Sequence, residues 1–162
     1  MLPLDELERA AVAAGCLTVR DEPMNRHTTF RIGGPADLFV TVCSEEGMQL
    51  LLRETSRLHV PLFVLGKGSN LLVSDRGVRG CVAVLAGDFN EISLRGETDI
   101  SCGPAVSLAG LCNFAKKNQL TGLEFAWGIP ASVGGAAFMN AGAYGGEMST
   151  VVDRVHALLP DG

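Results

Sequence analysis

Two stretches of this chain offer chemistry carried by backbone rather than by a nucleophile or an acid. Gly66-Lys67-Gly68-Ser69-Asn70, followed by Leu71, is small and polar, and Ser69 and Asn70 add side-chain donors to its N–H groups. Successive N–H groups in such a turn form a concave anion site, able to hold a pyrophosphate without any helix dipole. Taken alone, the pentapeptide reads first as a tight turn between two strands. The second stretch runs Gly128-Ile129-Pro130-Ala131-Ser132-Val133-Gly134-Gly135-Ala136-Ala137-Phe138-Met139-Asn140-Ala141-Gly142-Ala143-Tyr144-Gly145-Gly146. Six glycines, one proline and no charge make it a poor helix and a poor plain strand. Glycine costs conformational entropy on folding, so a run this dense points to backbone lying very close to a partner. A flat cofactor is the leading candidate.

Other motifs are weaker. A dinucleotide fingerprint needs a third glycine where this chain has Leu71, and it opens a helix, whereas β-type residues follow here. A Walker loop fails too, because no Ser or Thr follows Lys67. His27-Thr28-Thr29-Phe30-Arg31-Ile32-Gly33-Gly34-Pro35 holds a histidine with no carboxylate at helical spacing, so His27 reads as a hydrogen-bonded structural group. Arg31 suits either a phosphate or a carboxylate partner. Glu124 precedes the glycine-rich run and reads as a cap or ion-pair partner, the alternative being a place in the same cleft. Tyr144 is the only tyrosine, free either to stack and donate or to sit at the edge of a core. His59 and His156 carry no assignment. There is no Gly-x-Ser-x-Gly elbow and no His-Glu-x-x-His.

The elements that must position these loops follow from periodicity. Leu4, Leu7, Ala11 and Ala14 predict a short amphipathic helix ended by Gly15. Residues 36–42 are β-rich, and Ser44 is an N-cap candidate with Glu45 and Glu46 in the first turn. Residues 60–65 predict a strand running into the Gly66 loop, with Leu71-Leu72-Val73 resuming a β-like pattern. A strand is expected at 81–85 and a hairpin from 91–94 with 99–102. Pro104 opens a predicted helix with Leu108, Leu111, Cys112 and Ala115 on one face. Val151 to Leu159 is a last strand candidate, and Pro160-Asp161-Gly162 is turn chemistry leading toward a further strand.

Composition bounds the class. The 162 residues, 47% hydrophobic and 19% charged, suffice for one core or two small lobes. A net charge of -5 argues against a nucleic-acid surface. The amino terminus carries acids where a signal peptide carries positive charge, and no apolar run approaches the roughly 18 to 20 residues of a membrane span. A cytoplasmic protein is expected. The five cysteines are odd in number, widely spaced and without a Cys-x-x-Cys pair, so they read as buried free thiols and no metal is expected.

Taken in order, His27 to Pro35, Leu65 to Val73 with Ser74-Asp75, and Gly122 to Gly146 resemble the UDP-N-acetylenolpyruvoylglucosamine reductases, flavoenzymes of bacterial peptidoglycan precursor synthesis. The likeness runs from about Asn25 to the end of the chain. It implies an α+β, two-lobed FAD-binding unit of the vanillyl-alcohol-oxidase/PCMH type, with the third, substrate domain absent. The lobes expected are residues 1–60, a small α/β lobe with the N-terminal helix, and residues 61–162, a second α+β lobe cut off before the substrate domain. The resemblance assigns Gly66, Lys67, Gly68, Ser69, Asn70 and Leu71 to the FAD pyrophosphate. It assigns Gly128, Ile129, Pro130, Ser132, Gly134, Gly135, Asn140, Gly142, Ala143 and Tyr144 to the pyrophosphate, ribityl and isoalloxazine side.

Lys67 stands where many members have a glycine or an acid, and Ala131-Ser132 replaces the commoner Gly-Thr or Gly-Ser; neither removes a backbone donor. The implied reaction uses NADPH to reduce the flavin, which then reduces the enolpyruvyl double bond of a UDP-sugar. The family's serine proton donor, its glutamate and its Tyr-Arg segment fall later than this sequence reaches, so no catalytic residue is carried over. The chain alone is expected to be inactive. A flavin- or nucleotide-binding module without enzymatic activity is the alternative, and oligomeric state is open.

Overall fold

The computed structural model describes residues 3–162. The chain divides into two compact units, one holding the residues up to Asp88 together with Ala157–Gly162, the other Phe89–His156.

In the first unit, α1 (Pro3–Ala13) buries Leu7 and Ala11 completely. Next comes β1 (Leu17–Pro23), a strand that periodicity did not announce because it carries an arginine, two acids and a proline in seven residues. It is tolerated as an edge strand whose Arg20 pairs back onto α1, 2.9 Å from Asp5 and 2.8 Å from Glu8. Then β2 (Pro35–Val42) leads to α2 (Glu45–Arg57), where Ser44 caps as expected, its Oγ accepting from the Gly47 N–H at 3.2 Å. β3 (Leu62–Leu65) and β4 (Val78–Leu85) complete a sheet of order β1-β2-β4-β3. β1 is antiparallel to β2, and the other pairs are parallel.

That topology corrects two expectations. The division foreseen near Pro61 falls inside the first unit, because β3 pairs with β4 in the sheet begun by β1 and β2. Leu71-Leu72-Val73 forms no strand. Since β3 and β4 are parallel, the chain from 66 to 77 must cross back along the sheet rather than turn as a hairpin. Val73 instead packs beneath this crossover with Met24, Ala36, Phe39, Leu65 and Val82. A register shift between Ala36 and Leu38 brings Ala36 and Phe39 into one cluster. Asp37 holds the irregularity, accepting from the Gly80 N–H and pairing with Arg79, both at 2.8 Å.

In the second unit, β5 (Ile92–Arg95) and β6 (Asp99–Cys102) form the expected hairpin, Ile92 opposite Cys102. α3 (Leu108–Lys117) begins four residues after Pro104, capped by Ser107, whose Oγ accepts from Gly110 at 3.1 Å. Pro104 cannot open it, because its carbonyl accepts from the Gly134 N–H and the Ala105 N–H donates to Phe89. Within the glycine-rich run lies α4 (Val133–Phe138), then a small hairpin of β7 (Gly142–Ala143) and β8 (Gly146–Glu147). Val106, Leu108, Leu111, Cys112, Phe125, Ala126, Ala136 and Met148 form the core. The strand expected over 151–159 is not formed; the segment joins no ladder among the described residues.

Candidate functional site

In the first unit, the loop after β3 is shaped by what lies beneath it. Gly68 is buried at φ +63°, a left-handed conformation, and a Cβ placed there would lie 1.9 Å from the His27 carbonyl oxygen. Its own carbonyl accepts from the Thr29 N–H at 3.0 Å. By contrast, the N–H groups of Lys67, Gly68, Ser69 and Asn70 have no acceptor among the described residues. Lys67 and Asn70 are exposed, Ser69 half-buried, and the neighbouring Gly66 is exposed as well. Four consecutive unpaired donors around a left-handed glycine are the kind of backbone arrangement that suits an anion. Leu71 turns inward instead, packing against the cluster under the crossover.

The His27 to Pro35 segment supports that loop from below. The His27 ring stacks on Phe39 with centroids 4.3 Å apart, and its Nε2 lies 2.9 Å from Glu22 Oε1. Thr28 is buried, its hydroxyl donating to the Ile32 carbonyl at 3.0 Å. His27 is therefore structural, as expected, but its carboxylate partner was missed. Glu22 lies five residues earlier, across the end of a strand, where no helical spacing would reveal it. Arg31 sits at φ +55°.

In the second unit, the glycine-rich run proves to be largely self-satisfied. Ser132 is 4% exposed, and its Oγ accepts from the Gly135 N–H at 3.3 Å as the cap of α4. Gly134 lies against Pro104, where a Cβ would approach the proline Cβ to 2.7 Å. Ile129 is half-buried against the core. The Asn140 Oδ1 accepts from the Ser149 N–H at 2.8 Å. Gly128, Pro130, Gly142 and Tyr144 are exposed, and Ala143 is half-buried. Tyr144 and Gly145 are the two central residues of the β7–β8 turn, at φ +52° and +84°, which leaves the tyrosine 96% exposed. Glu124 accepts from the Gly122 N–H at 2.8 Å, a local cap as first read.

Burial pushes up the thiols of Cys16, Cys102 and Cys112, and that of Cys81 to about 12. Among the described residues, no cluster of three or more His, Cys, Asp or Glu could hold a metal, and no helix is long and apolar enough to cross a membrane.

An α+β chain in two units, one presenting a loop of unpaired backbone N–H groups and the other a glycine-rich run, matches a known family, and this chain belongs to it: the FAD binding domain family, over residues 36–162. Within that class its relatives are UDP-N-acetylenolpyruvoylglucosamine reductases. The one from Heliobacterium modesticaldum is 46% identical over 89% of this chain, which covers 46% of the relative. A second, from Symbiobacterium thermophilum, is 43% identical over 100% of this chain and 52% of its own length. The crystal structure of the Thermus caldophilus reductase superposes with a TM-score of 0.68 at 40% identity, over 83% of this chain and 45% of that one. The chain thus spans about half the length of the curated relatives it matches. The expected fold, an FAD-binding unit of mixed α and β structure, is borne out.

Proposed function

We propose that this chain is the FAD-binding part of an enzyme that reduces UDP-N-acetylglucosamine enolpyruvate to UDP-N-acetylmuramate at the expense of NADPH. The reductases of like sequence and fold support the reaction. The observation that carries the cofactor's placement is the row of unpaired N–H groups from Lys67 to Asn70. A pyrophosphate is the part of FAD whose oxygens such donors fit, and the Lys67 ammonium adds charge to them. Bound FAD supplies the two-electron redox chemistry.

Each loop has a distinct part in this reading. Gly66 to Asn70 bind the pyrophosphate, with Leu71 anchoring the loop to the core. In the second unit, Gly128, Ile129, Pro130, Gly142, Ala143 and Tyr144 offer the cofactor backbone and an aromatic ring. Gly134 and Gly135 keep backbone close to the surface. Ser132 and Asn140, with their oxygens already engaged, act by holding the run in shape. The free cysteines fit a cytoplasmic enzyme.

The test is spectroscopic. The purified chain should be yellow or become so with added FAD, release FAD on denaturation, and fail to reduce the enolpyruvyl substrate unaided. A colourless, folded preparation that takes up no FAD would overturn the proposal.

A further inference from the structure

Few of the contacts that shape the Lys67–Asn70 donors come from the loop itself. Gly68 is gripped from both sides by the segment below it, its Cα against the His27 carbonyl and its own carbonyl accepting from Thr29 at 3.0 Å. Where the His27 carbonyl lies depends in turn on the His27 ring. That ring has two fixings from two different strands: Phe39 of β2 stacks on it at 4.3 Å, and Glu22 of β1 meets Nε2 at 2.9 Å. The same glutamate pairs with Arg26 at 3.6 Å, which steadies the carboxylate. Further along, the Gly34 N–H donates to the Ser74 carbonyl at 2.9 Å, so the supporting segment is tied to both ends of the crossover.

We propose that His27, held by Glu22 and Phe39, is a positioning residue for the anion-binding loop: its carbonyl sets the left-handed turn at Gly68 that turns four N–H groups toward one ligand phosphate. The inference rests on the reading of that loop as the FAD pyrophosphate site. Donors fixed before the ligand arrives bind without the entropy loss of ordering a loop. Neither His27 nor Glu22 touches the cofactor; both act through backbone.

The experiment uses the 162-residue chain with His27→Ala, Glu22→Ala and Glu22→Gln. FAD affinity is measured by flavin fluorescence, ADP affinity by calorimetry, and amide exchange is followed residue by residue in the unliganded protein. Glu22→Gln keeps the oxygen that accepts from Nε2 and should bind FAD within threefold of the parent. Glu22→Ala and His27→Ala should each weaken both FAD and ADP about tenfold or more, a loss of about 1.4 kcal/mol per tenfold. Exchange should accelerate at Thr29 and Gly34, whose N–H groups donate to the Gly68 and Ser74 carbonyls, and hold steady in α1, α2 and the second unit.

Glu22→Ala serves where His27→Ala does not fold. Alanine variants that bind FAD within twofold of the parent overturn the inference, as does exchange that rises evenly along the chain. A parent chain that binds neither FAD nor ADP overturns the cofactor reading itself, and the positioning role then stands or falls on exchange at Thr29 and Gly34.

Discussion

Gly68 and Gly128 are glycines for different physical reasons, and only the structure separates them. At Gly68 an added methyl meets both a left-handed φ and the His27 carbonyl 1.9 Å away. Gly68→Ala should therefore destabilise the chain by about 2 kcal/mol or more, a fall of roughly 4–8 °C in thermal midpoint by calorimetry. Gly128 has no positive φ and nothing within 4 Å of an added Cβ. Nothing among the described residues demands a glycine there, and the proposed FAD site offers a reason for one. Gly128→Ala should leave the midpoint within a degree or two and yet weaken FAD binding; unchanged affinity would remove Gly128 from the site. Tyr144 poses the converse problem, a bulky residue in the first central position of a turn that favours Asn, Asp or Gly. Tyr144→Asn should raise stability in urea by about 0.5–1 kcal/mol, because asparagine tolerates the left-handed region, while flavin binding falls. The sequence made the density of glycine legible. It could not say which glycines face a ligand and which face a proline or a carbonyl, since that depends on contacts between distant segments.

Elements in this chain follow local signals where the signal is a cap and depart from them where a distant partner decides. Ser44 capped the helix its sequence announced, whereas Pro104 did not, because Gly134 claims its carbonyl from thirty residues away. α4 is the sharper case: six residues with two glycines have almost no intrinsic helix preference and are far too short to be helical alone. It forms because Ser132 caps it, Ala136 is buried, and its start is bridged to the start of α3, with Val133 donating to Val106 and Leu108 to Ala131. The two capping serines lie opposite each other in that bridge. Ser132→Ala should cost about 1–2 kcal/mol and Ser107→Ala about 1 kcal/mol in urea unfolding. The double variant should cost less than the sum, because loss of either cap already loosens the shared bridge. Strict additivity would mean that the two helix starts hold independently. The missing strand over 151–159 belongs with these cases: apolar residues gave the pattern, but a strand is a relation to a neighbour, and this segment pairs with none among the described residues.

For the whole molecule, the first unit extends to Asp88 because a parallel sheet collects strands that are distant in sequence, and a proline at residue 61 says nothing about which sheet the next strand joins. Composition was a better guide to what both units share, a set of free thiols, of which Cys16, Cys81 and Cys112 are buried and Cys43 and Cys102 half-buried. Cys16 and Cys81 lie in the first unit, Cys102 and Cys112 in the second, and burial raises all four above the ordinary thiol range, Cys81 to about 12. The unfolded chain deprotonates these thiols from about pH 8.5 upward, while the folded chain keeps its protons. Above that pH the unfolded state therefore binds fewer protons, and stability must fall as pH rises. The contribution of Cys81 is fully present below about pH 8.5 and is lost progressively up to about 12. Urea unfolding at pH 7, 9 and 10.5 should show a midpoint that is level to pH 8 and then declines. Cys81→Ala should be less stable at pH 7 through lost packing, yet decline less steeply, so that its curve converges on the parent's at high pH. Parallel curves would show that Cys81 is not the group responsible. Alkylation offers an independent check: at pH 8 in the folded protein Cys81 should stay unmodified, and it should react once urea exposes it.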